Sequence, residues 1–328
     1  MIVSRAGAAV LACASCAASP EWSAPADPRA PAAVQATVRR ASVEILIDGH
    51  LEGTGWIADG AGWVVTAAHA VAGWRGGIEV VSEDLGRHAA EVVALDLGHD
   101  LALMRIVAGA RPWPVLALAP RPAVAGEELS LFGTALFRHG LRIGGRVAHA
   151  EATFEPLSST RDYARVFVVA AAVPPGLSGG AWVDREGRVV GCQSGVVTHA
   201  GLPVGLALAA PLDAVRRLLS ERADVPTASL GCGLEELPSQ PSGFIVRLPA
   251  GTEGVVCVPV HADGPACAAG LTGETVVIAV EGVAVRRRED LLSAVRARDP
   301  GEVVTLTVLS PQAPEPRTVQ VRLARVGG

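Results

Sequence analysis

Nucleophilic acyl transfer needs a serine, a histidine and an aspartate. They occur here as Ser178 in VPPGLSGGAWVD, His69 in GWVVTAAHAV and Asp100 in LDLGHDLALMRI. A serine hydroxyl is a weak nucleophile until a base takes its proton, the base needs a group to orient it, and the developing oxyanion needs fixed donors. In that scheme Ser178 attacks, His69 takes the proton and Asp100 holds the imidazole. A GLSGG pentapeptide is weak support by itself, because Gly and Ser are ordinary turn residues. A lone histidine is no stronger, since the chain has eight.

The settings of the three residues carry more weight. His69 follows TGWIADGAGWVVTAA, two apolar strands joined by a turn, so the imidazole stands at the rim of a sheet among small alanines that leave it accessible. Asp100 stands between a Gly-His turn and the apolar run LALMRI, which places its carboxylate partly buried at a strand start, where it needs a partner. In an all-β domain such residues come from different strand ends, so wide spacing in sequence is no objection.

Around them, short β-branched or apolar runs broken by Gly, Asp and Pro continue from Val34 to about Ala210: SVEILI, IEVVS, AEVVALD, ELSLFG, RVFVVAAAV, RVVGCQSGVV and VGLALAA among them. Many short strands at short intervals predict a barrel or sandwich. Leu212 to Arg222 is the one convincing helix, with Leu212, Val215, Leu218 and Leu219 on one face, and it closes the domain. After ADVPTAS, a further segment of about 95 residues reads as a separate α+β unit. Its predicted strands are GFIVRL, VVCVPV, TVVIAV, VVTLTVL and TVQVRLA, with helical pieces near Ala266 to Ala269 and Arg288 to Arg298.

Composition is that of a globular chain. It has 328 residues, 50% of them hydrophobic and 19% charged, enough for the cores of two ordinary domains or one large one. A net charge of -5 and scattered basic residues, all Arg, give no positive field for nucleic acid. Cys192, Cys232, Cys257 and Cys267 show no CxxC spacing, so neither a metal site nor a cofactor is expected. For an exported chain, one disulfide among Cys232, Cys257 and Cys267 competes with buried free thiols.

The N-terminus reads as an export leader over residues 1–18. Arg5 precedes an apolar run of small residues, Ala6 to Ala14, too short to span a bilayer. Two processing sites compete, a small-x-small cut at Ala12-Cys13-Ala14 and a lipoprotein site that would lipidate Cys16, and a plain Ala-rich tail is the alternative to both. Residues 19–33, rich in Pro and Ala, read as a tether.

In their order and context these blocks resemble a known family. GTGWI, GWVVTAAHAV, HDLALMRI and AAVPPGLSGGAWVDREGRVVGCQSGV look like the catalytic blocks of trypsin-like serine proteases of the HtrA/Deg type. GVVCVPVHADGPACAAGL and TGETVVIAVEG resemble a PDZ domain. The resemblance implies a trypsin-like double β-barrel over residues 34–222, a linker over 223–229 and a small α+β PDZ domain over 230–328. It assigns the triad to His69, Asp100 and Ser178 and the oxyanion hole to the amides of Gly176 and Ser178. Two departures stand out: Leu177 replaces the family's usual Asn, and Ala181 its usual Pro. Leu177 is expected to leave the oxyanion hole intact if its side chain points outward, and could otherwise hold the loop in a collapsed resting form.

By family analogy the specificity pocket is lined by Ala172, Gln193, Ser194 and Gly195, with Ala171 and Val173 beside them. None is charged, which favours small or medium apolar side chains in the substrate. Peptide C-termini would be captured by a PDZ loop at Cys232, Gly233 and Leu234, with Arg288 to Arg298 as the opposite wall. The resemblance also implies a periplasmic or envelope setting, unfolded or extended polypeptide substrates and a homotrimer. A catalytically silent protease fold that acts through its PDZ unit is the competing function.

Overall fold

The computed structural model describes residues 32–74, 76–107 and 113–327. The expected leader and most of the tether, with Cys13 and Cys16, lie outside the described residues. Helix α1 (Ala32–Ala41) leads into the first barrel and buries Val38 and Ala41 against it. This helix begins within the segment read as a tether.

Six strands close the first barrel: β1 (Ser42–Ile47), β2 (His50–Ile57), β3 (Trp63–Ala67), β4 (Ile78–Ser82), β5 (Gly86–Asp96) and β6 (Leu101–Ile106), in the order β1-β2-β3-β6-β5-β4. One helical turn, α2 (Ala68–Val71), follows β3. A second closed barrel is built from β7 (Glu128–Ala135), β8 (Arg138–Leu157), β9 (Asp162–Ala170), β10 (Ala181–Val183), β11 (Val189–His199) and β12 (Leu202–Pro211), in the order β10-β11-β12-β9-β8-β7. Closure leaves no free sheet edge, which is how an all-β domain of this size avoids pairing with other chains. Each barrel interior is apolar, with Ile45, Ile57, Val64 and Met104 in the first and Leu131, Val169, Trp182 and Ala209 in the second. A third cluster, with Trp56, Leu101, Leu103, Phe132 and Cys192, also takes in Val215 and Leu218.

Helix α3 (Leu212–Glu221) closes the domain as its periodicity predicts, presenting Leu212, Val215 and Leu218 inward. It stops because Arg222 turns left-handed, φ 51°, and its N–H caps the Leu218 carbonyl. The segment between the domains is not a free linker. Val225 N–H bonds the Leu95 carbonyl, and β13 (Ala228–Ser229) pairs with β20 (Ala324–Arg325) near the end of the chain.

The C-terminal unit is the expected α+β fold. Its sheet runs β14 (Cys232–Glu236), β15 (Val255–Val260), β16 (Val276–Val280), β18 (Val303–Ser310), β19 (Ala313–Arg322), with β17 (Val283–Ala284) beside β16. Helices α5 (Pro265–Ala268) and α6 (Arg288–Arg296) match the predicted pieces. GFIVRL does not form the predicted strand: α4 (Ser242–Ile245) is a helical turn that buries Phe244 and leaves Val246 exposed. A Pro-Ser-Gly entry and the tight chain reversal outweigh the β-branched residues that suggested a strand. All four described cysteines are free thiols, with Cys192, Cys232 and Cys257 buried and Cys267 exposed.

Candidate active site

The three residues converge where the barrels meet. Ala67 at the end of β3 pairs with Leu101 at the start of β6. That register sets the residues just beyond each strand end side by side, so His69 in α2 and Asp100 in the turn before β6 become neighbours. Asp100 is held left-handed at φ 55°, and its carbonyl accepts the Ala68 N–H at 3.0 Å. Its carboxylate is fully buried and accepts three hydrogen bonds. Oδ1 takes the His69 backbone N–H at 2.9 Å, and Oδ2 takes His69 Nδ1 at 2.7 Å and Ser194 Oγ at 2.5 Å. The carboxylate is thus satisfied both by a backbone cap and by the imidazole.

Burial alone would lower the pKa of His69, but the Asp100 hydrogen bond and its charge outweigh burial, and the net result is above the ordinary imidazole value. The Nδ1 contact leaves Nε2 as the nitrogen free to take a proton.

Ser178 lies on a turn that is tied to both barrels. Its carbonyl accepts the Thr54 N–H at 2.8 Å, and the Gly179 N–H bonds the Gln193 carbonyl at 2.7 Å. Its hydroxyl contacts the Ser194 carbonyl at 3.3 Å. Gly179 has φ 87°, and a Cβ there would stand 2.2 Å from both the Thr54 carbonyl and Thr66 Oγ1, so no other residue fits.

Gly176, at φ 103°, also runs close to other backbone, since an added Cβ would stand 2.7 Å from the Thr134 carbonyl, and Thr54 Oγ1 donates to the Gly176 carbonyl at 2.8 Å. The N–H groups of Gly176 and Ser178 have no hydrogen-bond acceptor among the described residues, which leaves two donors for an anionic oxygen. Thr54, buried and bonded to this turn, is not marked as functional by the sequence. The threonine of GTGWI is the signal that points to it.

Leu177 does not point outward. It is fully buried in the second barrel with Leu131, Ala135 and Trp182. An apolar side chain is drawn into that core, so Leu177 anchors the turn from below.

The expected pocket residues divide. Ala172 lines an apolar cleft of about 260 Å³ with Ala171, Val173, Pro174, Val196, Pro203 and Gly205. Gln193 and Ser194 do not face it. The Gln193 amide is committed to Trp182 Nε1 and the Gly195 carbonyl, and Ser194 to Asp100. Gly195 contributes its carbonyl to the Gln193 bond, and an added Cβ there would meet only Leu208, at 4.0 Å. A larger cleft of about 410 Å³ is lined by Ser42, Asp84 and His139 among others, but these are each paired elsewhere: His139 with Glu44, Asp84 with Arg40, and Ser42 Oγ with the Val38 carbonyl.

Cys232, Gly233 and Leu234 form strand β14, not a loop, and Cys232 and Leu234 are buried. Among the described residues no group of acidic, histidine and cysteine side chains could hold a metal, and no helix is long and apolar enough to cross a membrane.

Comparison with known proteins agrees with this architecture. Residues 53–192 match the trypsin-like peptidase domain and residues 228–323 the PDZ domain. A probable periplasmic serine endoprotease, DegP-like, of Chlamydia muridarum is 26% identical over 262 residues, 79% of this chain and 51% of that protein. The serine protease PepD of Mycobacterium tuberculosis is 29% identical over 248 residues, 71% of this chain and 50% of that protein. The chain therefore spans about half the length of these curated relatives. Among solved structures, the HtrA-type protease AlgW with a decapeptide superposes with TM-score 0.64 at 20% identity, covering 90% of this chain and 98% of AlgW. The serine endoprotease from Yersinia pestis gives 0.59 at 19% identity, covering 89% and 97%.

Proposed function

We propose that the chain, whose residues 53–192 match a trypsin-like peptidase domain and whose residues 228–323 match a PDZ domain, is an exported HtrA/Deg-like serine endopeptidase that cleaves extended or unfolded polypeptides. The observation that supports the reading is the shared Asp100 carboxylate, which takes His69 Nδ1 at 2.7 Å and Ser194 Oγ at 2.5 Å, while the Ser194 carbonyl accepts from Ser178 Oγ at 3.3 Å.

The reaction follows from the roles. Ser178 Oγ attacks the peptide carbonyl as its proton passes to His69 Nε2, and Asp100 stabilises the resulting imidazolium without taking the proton itself. The Gly176 and Ser178 amides hold the tetrahedral oxyanion, each such donor being worth about 3 kcal/mol in the transition state. His69 then protonates the leaving amine, and water releases the acyl group by the same steps in reverse. The apolar lining of the Ala172 cleft suits a small or medium aliphatic side chain. The names of the periplasmic relatives support an envelope setting. The PDZ unit would take peptide C-termini by strand addition.

One observation favours a catalytically silent binding protein: Ser178 Oγ rests against the Ser194 carbonyl. Covalent labelling by a fluorophosphonate probe separates the two readings. Labelling of the wild type that is lost in Ser178→Ala and in His69→Ala supports the peptidase. A wild type inert with and without added peptides would leave the silent protein.

A further inference from the structure

The groove of the PDZ unit already has an occupant from within the chain. Strand β14 is the outer strand of its sheet, paired with β15 on one side only. Leu234 stands opposite Cys257, whose own N–H bonds Thr275 on the far side, so the amide groups of Leu234 face away from β15, toward the edge where a strand could be added. Both groups are taken. The Tyr163 hydroxyl accepts from the Leu234 N–H at 2.6 Å and donates to the Leu234 carbonyl at 3.2 Å.

Tyr163 comes from β9 of the peptidase domain, and Phe154 from β8 beside it. Both are buried in one cluster with Leu234, Leu291, Leu292 and Val295, the walls that β14 and α6 present. Polar contacts hold the hairpin there. Arg296 of α6 donates to Asp162 Oδ1 and to the Tyr163 carbonyl, each at 2.8 Å, and Ser229 Oγ donates to Asp162. Thr153 Oγ1 donates to Glu289 at 2.9 Å.

We propose that the β8–β9 hairpin is an internal competitor for the PDZ groove, so that an extended peptide can join β14 only after Tyr163 leaves Leu234. This rests on reading the PDZ unit as a peptide binder. Strand addition draws its affinity from main-chain hydrogen bonds, and Leu234 supplies an N–H and a carbonyl of the kind an incoming strand requires. Burial raises the Tyr163 phenol above its ordinary range, so it keeps the proton that it donates to Leu234. The competition makes the groove respond only to peptides that bind more strongly than the hairpin does.

The test uses the full chain with Tyr163→Phe, which keeps the ring and removes the hydroxyl, and Asp162→Asn, which breaks the pair with Arg296. Hydrogen exchange is followed over residues 232–236, and binding is measured by fluorescence anisotropy with a pool of labelled decapeptides that end in an apolar residue with a free carboxylate. Faster exchange and roughly tenfold tighter binding in both variants support the competition, since Tyr163→Phe removes the two hydrogen bonds to Leu234 and Asp162→Asn weakens the Arg296 pair that holds the hairpin there. Exchange and binding unchanged in both variants overturn it. Faster exchange with no peptide bound by any form supports closure of the edge by Tyr163 and refutes the reading of the unit as a C-terminal peptide binder.

Discussion

Ser194 donates its hydroxyl to the same Asp100 oxygen that holds His69, at 2.5 Å against 2.7 Å. A side chain expected in the substrate pocket is instead bonded to Asp100, and in the proposed mechanism it acts as a positioning residue. Its role follows from the cost of a buried charge, since the Asp100 carboxylate must be satisfied on every side that water cannot reach.

Ser194→Ala should therefore cost stability as well as rate. Loss of one donor to a buried carboxylate is expected to lower unfolding free energy by about 1–3 kcal/mol. Urea denaturation of the variant checks this, and a midpoint equal to wild type would show that the Asp100 carboxylate does not depend on the Ser194 hydroxyl.

The pH dependence has a definite sign. Because the folded pKa of His69 lies above 6.5, the base is neutral only at higher pH, so labelling of Ser178 should fall as pH drops through a midpoint above 6.5. The contribution of His69 to stability runs the other way. It is fully present below the unfolded value of 6.5 and is lost as pH rises through the folded one. Asp100→Asn should bring the labelling midpoint down and slow the rate by orders of magnitude. A labelling profile with its midpoint below 6.5 in the wild type would contradict the His69–Asp100 assignment.

Leu177 offers a test of the nucleophile turn. Its side chain is fully buried, so Leu177→Ala should leave a cavity costing about 2–5 kcal/mol and loosen the Gly176 to Ser178 amides. The expected result is a lower thermal midpoint together with slower labelling. A variant that loses stability yet labels at the wild-type rate would show that the turn holds its shape without the Leu177 anchor.

Substrate preference should follow the apolar cleft at Ala172 and Val196. In a panel of peptides differing only at the residue before the scissile bond, Val, Ile and Ala are expected to be cleaved at least about tenfold faster than Lys or Arg, for which the cleft offers no carboxylate. Equal turnover of basic and aliphatic peptides would place the specificity pocket elsewhere.

Much of this site is legible from local patterns. Strand ends and turn residues around His69, Asp100 and Ser178 follow from apolar runs broken by Gly and Asp, and α3 follows from its 3.6-residue period. Where the structure departs from expectation, the cause is long-range. Gln193 and Ser194 lie on β11, whose first six residues are all buried, so no alternation says which face is which, and a register shift between Gln193 and Val196 turns the strand again. GFIVRL carries β-branched residues but sits in a tight reversal, and tertiary placement overrides propensity.

By itself the sequence determined the two domain types and their order, and it marked His69, Asp100 and Ser178 as candidates, because these depend on local periodicity and on recognisable blocks. The tertiary structure alone decided that Ser194 serves Asp100, that Leu177 turns inward and that Tyr163 closes the edge of β14. Each of those depends on which distant strands meet and on which buried polar groups are left to be satisfied, and chain-local patterns do not encode that.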